Sequence, residues 1–367
     1  MIRLKGLNDT IKNNTKMIKI TQKQQKILAV LIKGGSFASS QINEEVLKNG
    51  EDVSLVTIKR ELSKMVNLKL IAKQGFGPAT NYQISAYGRI NTELEARVYC
   101  ATEPDNRHGQ TKYNFEILPV FAFDLFSSDE LKNLKTETMN YNKRSKNISE
   151  TLEKKELERL VIELSWKSSK IEGNTYTLLD TEKLILENKE AVGHSKNEAQ
   201  MILNHKDAFN FVFSNKKKFR SLNLSNLEQL HKLLVKGLDV GFGLRKKPVG
   251  ILGSKYRPLD NVYQIEDAIK LLSKVIAKNK NPYAKALISL LSLSYVQPFE
   301  DGNKRASRLM CNAILMAYGL APLSYRSVNE NDYREAMIVF YETNSIIPFK
   351  KIFIEQYIFA AQNYLIK

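Results

Sequence analysis

The feature that most constrains the fold of this chain is a pair of apolar helix patterns joined by a short loop near the C-terminal end. The first pattern, Ala286–Val296, is stopped by Pro298. The second starts at Asn303 and reads NKRASRLMCNAILMAYG. The longest apolar runs of the chain, Ala286–Val296 and Ala313–Leu323, are short and interrupted by Ser, Tyr, Gly or Pro, so neither predicts a membrane span. We therefore expect two buried helices within a helical domain.

The loop and the start of the second helix combine groups that bind phosphate. Gly302 permits a backbone conformation that other residues resist, and Asn303 is expected to cap the helix. A helix N-terminus attracts anions through its free N–H groups and its dipole. Three cations lie at this helix start: Lys304, Arg305 and Arg308. Asp301 is an oxygen donor suited to Mg²⁺. A di- or triphosphate site with one metal explains Asp-Gly-Asn and Phe299 better than a solvated basic helix start does.

The stretch QPFEDGNKRASR, Gln297 to Arg308, resembles the signature of the Fic family, HxFx[D/E]GN[G/K]RxxR. The resemblance covers about residues 150–367 and implies a helical domain that transfers AMP from ATP to a hydroxyl of a target protein. It implies that Asp301 would hold Mg²⁺ and that Arg308 would pair with the γ-phosphate. The phosphate cradle would be formed by Gly302, Asn303, Lys304 and Arg305. The catalytic positions of the family fall on Gln297, Asn303 and Arg305.

Two further segments resemble parts of the same family. Ser168–Gly173, SSKIEG, resembles its inhibitory motif [S/T]xxxE[G/N], on a helix expected at about 154–173. Ser168 and Glu172 are four residues apart and face the same way, so Glu172 could pair with Arg308 and displace the γ-phosphate; an ordinary surface glutamate is the alternative. The β-branched and aromatic residues of 249–265 predict a hairpin, which with Gly243-Leu-Arg245 resembles the flap that binds a target strand by β-augmentation.

The first position of the signature is the family's base, a histidine, and here it is Gln297. An amide has no titratable nitrogen near neutral pH, and losing a positioned base typically slows a reaction by about 10²–10⁴-fold. The four histidines, His108, His194, His205 and His231, are all remote in sequence. Three hypotheses follow. The first is a Fic-type transferase with reduced or altered activity, or an active one whose histidine has been replaced in this sequence. The second is a catalytically dead nucleotide-sensing DNA-binding regulator, and the third is an interaction scaffold that binds no nucleotide. Intact Asp301, Arg305 and Arg308 argue against the scaffold.

Residues 21–90 form a basic module of different character. Residues 1–90 carry +9 of the net charge of +17. Such a charge is typical of a segment that binds a polyanion, but a solvated lysine-rich surface would show it too. The charge alone does not separate these two alternatives. Three capped helix patterns followed by two strands around GFGPA resemble a winged helix-turn-helix module. The resemblance implies that the third helix would enter the major groove of DNA. The residues nearest the DNA would be Thr57, Lys59, Arg60 and Lys64. Winged helices also serve as protein-interaction modules, so that alternative stays open.

The sequence thus predicts a mainly α protein: a helical Fic domain with a small β-hairpin flap, plus an α+β winged-helix domain. The expected divisions are an N-terminal segment 1–20, the winged-helix domain 21–90, a connector 91–150 and the Fic domain 151–367. The expected ligands are ATP and Mg²⁺, and the expected partners are a target protein docked at 249–265 and DNA bound through 21–90. A homo-oligomer is left open. Two cysteines in unrelated contexts and no signal-peptide pattern predict a cytoplasmic protein.

Overall fold

The computed structural model describes residues 18–146 and 148–364 and confirms a mainly helical chain with one small sheet. The predicted N-terminal segment 1–20 therefore falls mostly outside the described residues. Contacts divide the chain into two units. The first comprises residues up to 124 with 250–257 and 335–350, and the second comprises 125–249, 258–334 and 351 onward. In the described residues, every helix falls short of the length and hydropathy that a bilayer crossing requires.

The first unit begins with three helices and a three-stranded antiparallel sheet. The helices are α1 (Gln22–Leu31), α2 (Ser39–Lys48) and α3 (Leu55–Asn67). The strands are β1 (Phe37–Ala38), β2 (Ile71–Gln74) and β3 (Asn81–Ile84), in the order β1-β3-β2. In this register Lys73 lies opposite Tyr82. These are the helices and the hairpin that the sequence predicts for 21–90; the identification of the module as a winged helix-turn-helix stays a prediction.

Local sequence explains why these elements form. Thr21 caps α1 in a reciprocal capping box with Gln24, and the Ser54 side chain accepts the N–H of Thr57 at the start of α3. The apolar stripe of α3 is buried at Ile58, Leu62 and Met65. The turn between β2 and β3 requires glycine at position 75, because φ is +77° and a Cβ there would lie 2.4 Å from the carbonyl oxygen of Ala79.

The rest of the first unit is built around a buried carboxylate. Its helices are short: α4 (Ala86–Ile90), α5 (Ala96–Cys100) and α6 (Ile117–Val120). Glu342 is fully buried, and its carboxylate accepts hydrogen bonds from the Tyr99 hydroxyl at 2.8 Å and the Ser254 hydroxyl at 2.7 Å. The N–H of Lys255 at 3.1 Å and the guanidinium of Arg107 at 3.4 Å complete its partners. Glu342 therefore holds three distant segments of this unit together.

The second unit is a helical assembly around two adjacent buried helices. Its helices are α7 (Ser128–Ser145), α8 (Glu150–Ile171), α9 (Leu178–Glu187), α10 (Lys196–Ser214), α11 (Leu224–Leu234), α12 (Val262–Lys278), α13 (Pro282–Val296) and α14 (Asn303–Ala317). Helix α15 (Glu330–Thr343) begins in this unit and α16 (Ile347–Asn363) ends in it. Helices α13 and α14 pack on each other and are buried almost throughout, as predicted, with α8, α10, α11 and α12 around them.

The predicted hairpin at 249–265 is wrong. Residues 262–265 are the first turn of α12, because Asn261 caps that helix and Ile265, Ile269 and Leu272 continue an apolar stripe along it. The preceding segment has a turn at 251–254 and one isolated bridge, between Arg257 and Lys112. The β-branched and aromatic residues of this segment predict strands. Strand formation also depends on a hydrogen-bonded neighbour, and in the described residues the two sides of this turn do not form paired strands.

Candidate nucleotide site

The loop between α13 and α14 is shaped by two residues in left-handed conformations. Gln297 ends α13 with φ 49° and ψ 63°, and Gly302 precedes α14 with φ 76° and ψ 4°. Asn303 is not the cap of α14 as expected but its first residue, since Gly302 occupies the capping position. The Asn303 side chain instead accepts the N–H of Phe299 and donates to its carbonyl, both at 2.8 Å. Asn303 therefore fixes the loop to the helix that follows it.

Two residues from outside the loop brace it. Arg245, almost fully buried, donates from Nε to the carbonyl of Gln297 at 2.6 Å and from its backbone N–H to the carbonyl of Pro298 at 2.9 Å. His231 stacks on Phe299 with ring centroids 3.7 Å apart, and its Nε2 lies 2.9 Å from the carbonyl oxygen of Asp301. Because a carbonyl can only accept, Nε2 donates there, and the loop is held from both of its ends.

The cations at the start of α14 are buried. Arg305 and Arg308 are 2% and 0% exposed, and each has one buried guanidinium nitrogen, Nη1, without a hydrogen-bond partner among the described residues. Buried N–H groups are normally satisfied, so an anion such as a phosphate fits these two. Asp301 is 62% exposed at its side chain and accepts from Arg305 at 2.8 Å through Oδ2.

At this site the protein could supply only some of the ligands of a metal ion. The described residues contain no group of three or more His, Cys, Asp or Glu that could hold a metal ion. Asp301 could supply one oxygen, Oδ1, which makes no hydrogen bond to the described residues. Mg²⁺ is commonly bound by one or two carboxylates together with substrate phosphates and water, so a single exposed aspartate beside a phosphate cradle fits that ion.

Glu172 closes the site from the end of α8. It is the C-terminal cap of that helix, and its carboxylate lies 2.8 Å from Arg308 Nη2 and 3.4 Å from Lys304 Nζ. Ser168, one turn earlier, accepts from Arg308 through its hydroxyl at 2.9 Å and its carbonyl at 2.8 Å. Burial acts to raise the pKa of Glu172, but the charges of Arg308 and Lys304 outweigh it and hold that pKa below its usual value. Glu172 is therefore a charged partner of Arg308 at neutral pH.

The first turns of helix α15 contact both Arg308 and helix α8, the helix that ends at Glu172. Tyr333 lies under the Arg308 guanidinium, which is 5.6 Å from its ring centroid. Arg334 donates two hydrogen bonds to the carbonyl of Ile171, from Nε at 2.9 Å and from Nη2 at 2.6 Å. Glu330 accepts from Lys167 at 2.6 Å. Also on α8, the indole N–H of Trp166 donates to the carbonyl of Tyr176 at 3.1 Å.

Gln297 is 6% exposed and its amide has a fixed orientation. The side-chain nitrogen donates to the carbonyl of Ser294 at 2.6 Å. A carbonyl cannot donate, so the atom facing Ser294 must be Nε2, and the side-chain oxygen is left as an acceptor. The group can orient a hydroxyl but cannot take up its proton.

Among the described residues of this unit, no histidine lies free beside Gln297 to act as a base. His231 lies against the loop but is fully buried, and its Nε2 is used by Asp301. Burial lowers its pKa to about 4. His205 is also fully buried, and burial, followed by the charges of Arg308 and Arg305, lowers its pKa well below the ordinary value. His194 contacts Thr175 and the ring of Tyr176 instead.

The sequence predicts the loop residues and a candidate inhibitory glutamate, Glu172, but it does not point to three supporting residues. His231 is remote from the loop in sequence, yet its ring stacks on Phe299 of the loop. Glu330 and Arg334 are four apart, which suggests a pair within one helix; in the structure each turns to α8 instead. Only tertiary packing distinguishes these possibilities, and the sequence carries no direct signal of it.

Comparison with known proteins supports the resemblance. Residues 221–315 match the model of the Fic/DOC family. A protein adenylyltransferase Fic of Nematostella vectensis is 32% identical over 176 residues, which are 46% of this chain and 40% of the relative. A protein adenylyltransferase Fic-1 of Caenorhabditis elegans is 25% identical over 158 residues, which are 42% of this chain and 31% of the relative. The chain thus spans less than half the length of these relatives.

Two solved structures share the fold. Fic-1 (residues 134–508) of C. elegans aligns with a TM-score of 0.57 at 18% identity, covering 68% of this chain and 80% of that one. A Fic family protein of Desulfovibrio desulfuricans aligns with a TM-score of 0.52 at 22% identity, covering 65% of this chain and 74% of that one. These similarities establish a Fic-like fold, and at such low identity they concern the fold alone.

Proposed function

We propose that this chain binds ATP with Mg²⁺ at the α13–α14 loop and is a Fic-type protein adenylyltransferase, autoinhibited by Glu172 and slowed by Gln297. The observation that carries the proposal is the buried pair of arginines beside the loop. Among the described residues, Nη1 of Arg305 and of Arg308 has no hydrogen-bond partner, and the carboxylate of Glu172 lies 2.8 Å from Nη2 of Arg308. A buried cation that pairs with a carboxylate at the end of another helix can exchange it for a phosphate.

The reaction would join a target hydroxyl to AMP. The hydroxyl oxygen forms a bond to the α-phosphorus of ATP, the bond from that phosphorus to the bridging oxygen of the β-phosphate breaks, and pyrophosphate leaves. Arg305 and Arg308 would neutralise charge on the phosphates, and the N–H groups at the start of α14 would orient them. Mg²⁺, held in part by Asp301, would supply further charge neutralisation.

The step for which this site offers no proton acceptor is removal of the hydroxyl proton. Gln297 presents an acceptor oxygen that can align the hydroxyl, but the proton must pass to solvent. We expect transfer to be slower than with a positioned base by about 10²–10⁴-fold. Nucleotide binding does not depend on the base, so the chain should bind ATP once Glu172 is removed.

The direct test is incubation of the full chain with ATP labelled in the AMP moiety and Mg²⁺. The chain as given, Gln297→His, Glu172→Gly and the double variant should be compared. The double variant should label most, because it has both a base and a free Arg308. If the double variant does not label itself or an added extract while it still binds ATP, AMP transfer is the wrong reaction. If calorimetry shows no ATP binding by Glu172→Gly at millimolar ATP, the nucleotide site itself is refuted.

The target protein would dock at residues 250–257. In the first unit these residues and the segment around Thr111 line a cavity of about 650 Å³, with Lys112 and Arg257 exposed at it. Leu252, at the turn, is 99% exposed. An extended segment of a target could lie along these residues and place an apolar side chain against Leu252.

A second function is favoured by the surface of α3. Lys59, Arg60 and Lys64 are exposed on one side of this helix, and Phe76, between β2 and β3, is 90% exposed. We propose that this surface binds DNA, which would make the chain a regulator whose DNA binding responds to ATP if transfer proves absent.

Both cysteines are free thiols, in keeping with a reducing cytoplasm.

A salt titration of DNA binding by the full chain tests this second function. Arg60→Ala should reduce the slope of log affinity against log salt by about 1. Lys48→Ala, an exposed lysine on α2, is the matched control and should leave the slope unchanged. A chain that binds no DNA even at low salt would leave this module as a protein-interaction domain.

A further inference from the structure

The position of Glu172 depends on the last turn of α8. Glu172 is the cap of that helix, and Gly173 follows it with φ +99°. The N–H of Glu172 is bonded to the carbonyl of Ser169, and the N–H of Asn174 returns to the same carbonyl. The carbonyl of Ile171 belongs to the group of terminal acceptors that the helix itself cannot satisfy.

That carbonyl is satisfied by Arg334 of α15. Its Nε and Nη2 reach the Ile171 carbonyl at 2.9 and 2.6 Å, and Nη2 is also 3.5 Å from the carbonyl of Lys170. A guanidinium at this end of a helix is favoured twice, by charge-assisted hydrogen bonds and by the negative end of the helix dipole. The terminal turn that carries Glu172 is thus held by a side chain from another helix.

The same turn of α15 touches the other partner of the ion pair. Tyr333, the residue before Arg334, packs under Arg308, and Glu330 binds Lys167 one turn before the end of α8. Within the second unit, then, a single helical turn contacts Arg308 and the backbone that presents Glu172.

We propose that Arg334 is a positioning residue for autoinhibition: by holding the Ile171 carbonyl, it sets how firmly Glu172 occupies Arg308 and so how tightly ATP binds. The proposal rests on the proposed nucleotide site. Without Arg334 the last turn of α8 opens more often, Arg308 becomes available for a larger fraction of the time, and the apparent affinity for ATP rises by that factor.

The sign of the effect separates this role from ordinary electrostatics. Removing a positive charge near a phosphate site should weaken ATP binding, whereas releasing Glu172 should strengthen it. Arg326 provides a matched control, because it also binds α8 from outside, through Glu163 at 2.9 Å, but at a position nine residues before Glu172. Arg326→Gln removes the same charge and leaves the terminal turn alone.

The experiment is calorimetry with ATP and Mg²⁺ on the full chain and four variants: Arg334→Gln, Arg326→Gln, Glu172→Gly and Glu172→Gly with Arg334→Gln. Arg334→Gln should tighten ATP binding by about fivefold or more, and Arg326→Gln should not tighten it. In the Glu172→Gly background, Arg334→Gln should add no further gain, because the glutamate through which it acts is gone.

The outcomes distinguish this inference from the proposed function. No ATP binding by Glu172→Gly refutes the site and the inference together. Tight binding by Glu172→Gly but no gain with Arg334→Gln, or a gain that persists without Glu172, refutes only the inference. Hydrogen exchange gives an independent reading: Arg334→Gln should speed exchange at the amides of 172–174 and not at 160–164, and unchanged exchange at 172–174 would contradict the proposed hold.

Discussion

At the scale of single residues, some buried polar groups near the two arginines have no hydrogen-bond partner among the described residues. His205 is the clearest, since both ring nitrogens lack a hydrogen bond and the side chain is fully buried. Burial, followed by the charges of Arg308 and Arg305, lowers the pKa of His205 well below its ordinary value and so favours the neutral imidazole. The residue therefore makes folding sensitive to acid.

We expect stability to fall on acidification because of His205. Its pKa is lower in the folded chain than in the unfolded chain, whose ordinary value is 6.5. The unfolded chain thus binds a proton first, and stability present above about pH 6.5 is lost as the pH falls. Between about pH 8 and pH 5 the loss from this group should be about 2 kcal/mol. The variant His205→Leu should not show this loss of stability. The measurement is the free energy of unfolding in urea at each pH.

A second histidine bears on this measurement. His231, whose pKa burial lowers to about 4, remains in the variant, so part of the acid sensitivity should remain. Equal acid sensitivity in His205→Leu and the parent would contradict the prediction.

The sequence could predict the site residues that lie within one short stretch or one helix turn. Gln297 to Arg308 are contiguous, and Ser168 and Glu172 are one turn apart, so spacing alone places each set. The contact between the two sets rested on the family resemblance, and the structure places Glu172 against Arg308. His231 and Arg334 were not predictable, because their partners are other helices far along the chain.

At the scale of elements, the junction of α13 and α14 depends on a left-handed glycine. Gly302 has φ +76°, and a Cβ built on it would meet its nearest neighbours, His231 and Val235, at 3.5 Å, an ordinary contact. The cost of a side chain at this position should therefore come from the backbone rather than from a clash.

Gly302→Ala is expected to destabilise the chain by about 1–2 kcal/mol, the cost of a left-handed conformation for an L-residue. Gly319→Ala is the matched control, since Gly319 has φ +70° and open space where the Cβ would lie. Chemical denaturation should show losses that agree within about 0.5 kcal/mol. A much larger loss for Gly302→Ala would show that the loop tolerates no added volume.

The wrong hairpin at 249–265 shows where element prediction failed. The helical part, from Val262, had a readable signal in Asn261 and the stripe of Ile265, Ile269 and Leu272. The segment before it is rich in β-branched and aromatic residues, and this composition favours strands over the helix that follows. Composition describes a surface that could pair, whereas pairing requires a partner strand, which the sequence does not reveal.

At the scale of the whole molecule, the units defined by contacts do not follow the order of the chain. The first unit takes in residues 250–257 and 335–350 in addition to the N-terminal part. The predicted divisions at 90 and 150 came from composition and stay predictions. Composition along the chain cannot show that distant segments gather around one carboxylate, Glu342.

The buried pair of Glu342 and Arg107 should therefore matter for the stability of the first unit. Both side chains are almost fully buried and lie 3.4 Å apart. Arg107→Met leaves a buried carboxylate without its cation and should cost about 3 kcal/mol, since three hydrogen-bond donors to Glu342 remain. The change is measured by thermal and chemical unfolding.

The double variant Arg107→Met with Glu342→Gln tests the reason for that loss. A neutral amide needs no cation, so the double variant should recover part of the stability that Arg107→Met removes. Additive losses in the two single variants would indicate that packing, rather than the unpaired charge, accounts for the effect.

The chain contains a single tryptophan, and it lies on the helix that carries Glu172. The Trp166 indole bonds to the carbonyl of Tyr176, and the amino groups of Lys167 and Lys170 lie 5.2 and 5.1 Å from its ring centroid. The emission of this one fluorophore therefore reports on α8 without labelling. Quenching or a spectral shift during ATP titration would follow the release of this helix in real time.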